Sequence, residues 1–211
     1  MATVPRPESL PVQLFLLAVH PATGRLTSRM DLGFILRAAA LADLQLSGHL
    51  VDEGGRPRAA HRTGTGDPLL DEVLRQVAGD PGRRWGHWIR QQPRQAIHAV
   101  RDQLVAGYRI ELRRYRMLGL LPAQRIVLRD RFERDRVVGA VDAALGDGWP
   151  VGDRTAALVA VAAAARMRTV LPRARRRAHR DRIAELTSRS APVPNVLRTV
   201  LRDIRAAGAR G

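Results

Sequence analysis

Apolar residues recur along this chain mainly at helical spacing, and the exceptions fall in two short stretches that alternate like strands. Residues 1–9, with Pro5 and Pro7, read as a disordered leader, and Val12 to Val19 begins a buried helix. Leu32, Ile35, Leu36, Ala39, Ala42 and Leu46 form one helical stripe behind Asp31 as N-cap, ended by Ser47-Gly48. Leu70, Val73, Leu74 and Val77 mark a helix that opens at Asp67-Pro68. Ile97, Val100 and Leu104 mark another between Pro93 and Gly107. Val138, Val141 and Leu145 belong to a helix from Asp130. Asp153 caps an Ala-rich helix that ends before Pro172 and is expected to be the most buried. A helix over Arg173 to Leu186, a loop over Ser188 to Pro194, a last helix through Val196, Leu197, Val200, Leu201 and Ile204, and a frayed tail at 208–211 complete the reading.

The two alternating stretches predict hairpins. His49-Leu50-Val51 and the Pro57 to His61 segment flank Asp52-Glu53-Gly54-Gly55, a short turn signature. In the longer stretch Ile110 and Leu112 face Ile126 and Leu128 across an apolar connection that includes Met117, Leu118, Leu120 and Leu121. Arg109, Arg113, Arg114, Arg116, Arg125 and Arg129 collar that tip. An apolar tip inside an arginine collar suits an anionic membrane surface or a partner's groove; the alternative is that the leucines fold back onto the core. The expected fold is therefore mostly α: a single-domain helical bundle over 10–207 with a protruding hydrophobic β-hairpin and a second short one.

Composition narrows the function. The 211 residues suffice for one sizeable core, and no run approaches the length of a membrane span. A formal net charge of +16, carried entirely by arginine, points to an anionic partner: nucleic acid, a lipid headgroup surface or an acidic protein. The Ala, Arg, Gly and Val load also reads as a GC-rich, bacterial coding bias, which accounts for part of the basicity. Without cysteine there are no disulfides or thiolate sites, and a cytoplasmic protein is expected, peripheral if it meets a membrane.

Catalytic patterns are not found in the sequence. The six histidines show no metal-ligand spacing, and Gly64-Thr65-Gly66 lacks both the lysine of a P-loop and the strand of a dinucleotide fingerprint. Adjacent Asp71 and Glu72 fit the first turn of a helix, where the macrodipole favours acids, better than paired acid/base chemistry. No cofactor or metal is expected. Trp85 and Trp88, three apart, suit either a core anchor or a lipid or base contact. Eight arginines crowd 166–182 and serve an anionic bilayer, a phosphate backbone or plain solvation. The low aromatic content, 4%, argues against a nucleic-acid reader. Arg94, His98 and Arg101, spaced four and three apart, line one face of the mid-chain helix.

Six stretches carry a family resemblance: Val12 to Ala18, Ala40 to Leu50, Thr65-Gly66-Asp67-Pro68-Leu69-Leu70-Asp71-Glu72-Val73-Leu74, Trp88-Ile89, Val100 to Val105, and Asp153 to Leu158. In this order and spacing they resemble the Golgi phosphoprotein 3 family over about Leu10 to Arg205. The resemblance implies a mostly helical domain with a hydrophobic hairpin, peripheral membrane association, recognition of phosphatidylinositol 4-phosphate, and no enzymatic activity. In eukaryotes such proteins are adaptors that retain glycosyltransferases. It places the headgroup pocket at Arg37 and Arg101, with His98 where the family has a second basic residue and Ser28 near the family's Trp; Arg94 adds a neighbouring charge.

The expected function is thus a non-enzymatic peripheral membrane protein that docks on anionic phospholipid through Arg37, Arg101, His98 and Arg94, with Met117, Leu118, Leu120 and Leu121 inserted. Self-association through the hairpin is a further expectation. The alternative is a cytosolic nucleic-acid-binding protein that uses an arginine-rich helix over 166–182.

Overall fold

Helix α2 (Leu32–Leu46) is the element around which the chain is wrapped, since α1 (Leu10–Ala18), α3 (Pro68–Gly79), α4 (Trp85–Arg90), α5 (Pro93–Ala106), α7 (Asp153–Ala164) and α10 (Val193–Gly208) all pack on it. Its sequence explains this position: from Leu32 to Leu44 only Phe34 escapes full burial, so the helix is apolar on every side. The computed structural model describes residues 8–28, 30–61, 63–117, 121–146 and 150–209, the backbone alone for 114–117 and 121–124. Among these, the remaining elements are α6 (Arg131–Leu145), α8 (Arg173–Ala178), α9 (Arg180–Arg189) and two antiparallel hairpins. The fold is mostly helical, as the apolar spacing predicts.

Local chemistry sets several of the boundaries. Asp67 caps α3 by accepting from the backbone N–H of Leu69 at 2.9 Å and Leu70 at 3.1 Å, with Pro68 preset in the first turn. Asp130 caps α6 through Phe132 N at 2.8 Å. Asp31 stands at the N-cap position of α2 but its side chain makes no capping bond; the chain turns into that helix at Ser28, which has a φ of 55° and whose carbonyl accepts from the N–H of Asp31 and of Leu32. Asp153 likewise is inside α7, with Gly152 at the cap position.

The alanine-rich helix is shorter and less enclosed than its composition suggests. It stops at Ala164 and buries eight of its twelve residues, whereas α2 buries twelve of fifteen and α1 eight of nine. The segment expected as one helix over Arg173 to Leu186 is two, α8 and α9, broken at His179. The last helix begins at Val193, earlier than expected, with Pro194 tolerated in its first turn.

β1 (Leu50–Asp52) pairs with β2 (Pro57–Ala59), and β3 (Ile110–Met117) with β4 (Leu121–Leu128) in the register Ile110↔Leu128, Leu112↔Ile126 and Arg113↔Arg125. The base of the long hairpin belongs to the core: Ile110 and Ile126 are buried, and Leu112 and Leu128 pack partly against the same cluster. Ile126 also donates its N–H to the carbonyl of Gly24 at 2.8 Å. A side chain at Gly24 would lie 2.2 Å from the Ile126 carbonyl oxygen, so glycine permits this contact. Leu118 and Leu120 of the expected tip lie outside the described residues, as do the side chains of Met117 and Leu121.

Candidate functional site

Arg37 occupies the middle of α2 and is 1% exposed. Its Nε donates to the carbonyl of Trp88 at 2.9 Å and one Nη to Gln76 Oε1 at 2.9 Å. Gln76 Nε2 in turn donates to Glu72 Oε1 and to Gln92 Oε1. Burial lowers the guanidinium pKa to about 10, partly opposed by the charge of Glu72, so it remains protonated at neutral pH. Arg37 therefore stitches α2 to α3 and α4.

The other expected headgroup residues lie on α5. Its first turn docks against α2 at Gly33, where a side chain would come 2.2 Å from the Pro93 carbonyl oxygen. Arg94 and His98 are exposed, with no hydrogen-bonding partner among the described residues. Arg101, half-buried, donates from Nε to Asp102 Oδ1 at 2.9 Å. The three make a basic stripe at helical spacing. Arg37 and Arg101 bond to separate protein partners.

Asp43 provides the second buried charge network. Its Oδ2 accepts from the backbone N–H of Leu10 at 2.7 Å and from Arg154 at 2.6 Å, joining the start of α1 to α2 and α7. Burial raises its pKa, although Arg154 and the Leu10 N–H both oppose the shift. Beside it Asp67, besides capping α3, accepts from Ser9 Oγ at 2.6 Å and Gln103 Nε2 at 3.1 Å. Thr65 donates to Asp71 Oδ1 from both its N–H and its hydroxyl. Glu72 takes Arg75 and Gln76. Thus the Thr65 to Glu72 acids serve local structure.

The tryptophans also resolve toward the core. Trp85 is buried and donates Nε1 to Asp52 Oδ1 at 2.6 Å, tying α4 to the short hairpin. Trp88 is buried as well, with His87 edge-on at a centroid distance of 4.9 Å. Neither ring is placed at an accessible lipid or base contact.

A different group of arginines converges where sequence reasoning expected a single helix. A cleft of about 1230 Å³ is lined by Thr27, Ser28, Ala165, Arg166, Arg168, Pro172, Arg173, Arg176 and Arg205. It brings the approach to α2, the α7–α8 connection, α8 and the end of α10 to one place. The 166–182 run is therefore divided: Arg175 and Arg182 donate to the carbonyls of Val170 and Ala144 and pair with Asp142 and Glu185, while Arg166, Arg168 and Arg173 face the cleft. This division counts against one continuous helix laid along a nucleic-acid groove. Sequence reasoning could not assemble the cleft, because Ser28 and Arg205 reach it from opposite ends of the chain.

No group of three or more metal-ligating side chains occurs among the described residues, and no described helix is long and apolar enough to cross a membrane. Fold and site together define a strongly basic, mostly helical domain with two small antiparallel hairpins. The sequence matches the family Golgi phosphoprotein 3 (GPP34) over residues 10–204, and the chain belongs to that family. A search among curated proteins finds no match.

Proposed function

We propose that this protein is a non-enzymatic peripheral membrane protein that binds anionic phospholipid, with phosphatidylinositol 4-phosphate as the lipid the family resemblance implies. The observation that carries the reading is the family match over 10–204, which spans α5 and both hairpins. The region from Leu10 onward acts as one lipid-binding unit on the cytoplasmic side of a membrane. Arg94, His98 and Arg101 meet the headgroup from the exposed face of α5. Arg37 adds its charge beneath them and holds the α2–α3–α4 scaffold. The apolar residues Met117, Leu118, Leu120 and Leu121 insert beside the headgroup. Near an anionic bilayer each arginine contributes about 1 kcal/mol, so a few facing one way suffice for attachment at modest salt.

The test is liposome co-sedimentation with phosphatidylinositol 4-phosphate against charge-matched phosphatidylglycerol. Wild type should prefer the phosphoinositide, His98→Ala/Arg101→Ala should lose the preference, and Leu118→Asp/Leu120→Asp should weaken binding to both lipids. If the folded protein ignores both kinds of liposome at low salt, the proposal fails.

A further inference from the structure

The cleft at the end of the α7–α8 connection concentrates positive charge. Of its nine described lining residues five are arginines and none is a carboxylate. Arg205 is held by Asp31 Oδ2 at 2.5 Å, and Arg176 donates to the carbonyl of Leu171 at 2.5 Å. Arg166, Arg168 and Arg173 are exposed, and their side chains have no hydrogen-bonding or ionic partner among the described residues. Four of them are close enough to interact: the Arg176 pKa is lowered first by burial and then by Arg166, Arg168 and Arg173. Several other arginines of the chain pair with nearby acids, as at Arg58–Glu53, Arg83–Asp80, Arg90–Asp203 and Arg189–Asp153. Here it leaves them facing a common space.

Two backbone features reinforce the convergence. Ser28 and Arg166 are two of the four described non-glycine residues with left-handed φ, at 55° and 56°. Arg166 ends α7 in a position that glycine would fill without strain, and its N–H closes the last turn on Ala163 O. Non-glycine residues held in that region are found where the surrounding structure fixes them, often at functional sites.

We propose that the cleft lined by Arg166, Arg168, Arg173, Arg176, Arg205 and Ser28 binds a phosphomonoester group, as a site separate from the α5 stripe. A phosphomonoester carries about −1.5 to −2 charge at neutral pH and three terminal oxygens. It can therefore engage several guanidinium forks together, each through a pair of parallel N–H bonds. A phosphodiester, with one charge and two free oxygens, satisfies fewer of them. Ser28 adds a hydroxyl donor at the same wall. The cleft, about 1230 Å³, has room for the molecule to which the phosphate is esterified. That molecule is either a soluble phosphate ester or a lipid whose headgroup ends in phosphate, and the two share the recognised chemistry.

The experiment separates those sources with one phosphate in two settings. Isothermal titration of the full chain with sn-glycerol 3-phosphate is run beside flotation with phosphatidylcholine vesicles containing phosphatidic acid or, at matched charge, phosphatidylglycerol. Three variants accompany wild type: Arg168→Gln/Arg173→Gln, Arg168→Lys/Arg173→Lys, and His98→Ala/Arg101→Ala.

The expected result is binding to the phosphomonoester, in solution or on the vesicle, that the glutamine variant weakens tenfold or more. The lysine variant should weaken it less, and the α5 variant should leave it unchanged. Binding of free glycerol 3-phosphate assigns a soluble ligand; preference for phosphatidic acid over phosphatidylglycerol without it assigns a lipid. The proposal is overturned if neither phosphomonoester binds, or if the folded glutamine variant binds like wild type. It is equally overturned if a 20-mer oligonucleotide binds through these arginines while both phosphomonoesters do not. Because the α5 variant tests the other site in the same series, failure of the cleft is distinguishable from failure of the lipid-binding reading.

Discussion

Arg37 and the arginines of the α7–α8 cleft carry the same charge in opposite circumstances. Arg37 is buried, its guanidinium matched to the Trp88 carbonyl and Gln76, and the protein around it supplies what water would have supplied. The side chains of Arg166, Arg168 and Arg173 stay in solvent, unmatched among the described residues, and their charges act on Arg176. The difference shows why a count of basic residues is a poor guide to binding. A buried, bonded arginine belongs to the stability of the fold, and an accessible, unmatched one belongs to whatever anion comes to it.

The comparison breaks first at Arg37. Its replacement by alanine removes two hydrogen bonds, opens a void inside α2's packing and leaves the Trp88 carbonyl without its donor. Arg37→Ala should cost about 3 kcal/mol, in the range of large core disruptions. Urea unfolding followed by circular dichroism checks this through the midpoint at unchanged slope. A loss under about 1 kcal/mol would mean that the guanidinium reaches solvent and belongs with the exposed set.

The next effect concerns Asp43 and has a sign that runs against the habit of carboxylates. Burial raises its pKa, so the folded state holds this proton more firmly than the unfolded chain does. The corresponding stabilisation is fully present below the unfolded pKa of about 3.9 and is lost as pH rises through the higher folded value. Asp43→Asn removes the titration while keeping an oxygen for the Leu10 N–H and Arg154. The stability of wild type relative to the variant should decline as pH rises from about 4 to 7. A difference that stays flat across that range would show Asp43 to be fully ionised in the fold.

How much of this was legible beforehand depends on how local the cause is. The α3 cap at Asp67-Pro68 and the Gly54-Gly55 turn are written in neighbouring residues, and the sequence yields them directly. The end of α7 is not, because Ala163, Ala164 and Ala165 continue as good helix formers and Arg166 gives no glycine signal for the left-handed turn. The break at His179 has no marker either, since Ala and Arg favour helix on both sides. Burial of Arg37 did leave a trace. One charge inside a run from Leu32 to Ala42 that is otherwise apolar or small must be matched within the protein. The cleft left none, since it depends on how distant segments dock.

A smaller effect belongs to Arg101, which sits between the two classes: half-buried, with Asp102 as its one partner of opposite charge among the described residues. Such a pair contributes little to stability, so Arg101→Ala should cost about 0.5 kcal/mol or less. Its influence should appear instead in liposome affinity. If unfolding and lipid binding change together, α5 has been disturbed and Arg101 is structural like Arg37.

The smallest expected change in stability, and the one that sharpens the contrast most, is in the cleft. Arg168→Gln/Arg173→Gln removes two charges that repel their neighbours and give up no internal bond. Stability should stay within about 0.5 kcal/mol of wild type, with any shift toward greater stability. Salt separates repulsion from packing, because the Debye length falls from about 10 Å at 0.1 M to about 3 Å at 1 M. Raising salt over that range with a phosphate-free, weakly binding anion should stabilise wild type slightly more than the variant, as screening relieves a repulsion that the variant lacks. Arg37→Ala should show no comparable salt dependence, since its surroundings exclude the screening ions. A variant that loses more than about 1 kcal/mol at every salt concentration would show that Arg168 and Arg173 are held in the fold as Arg37 is, and the division between the two sets would disappear.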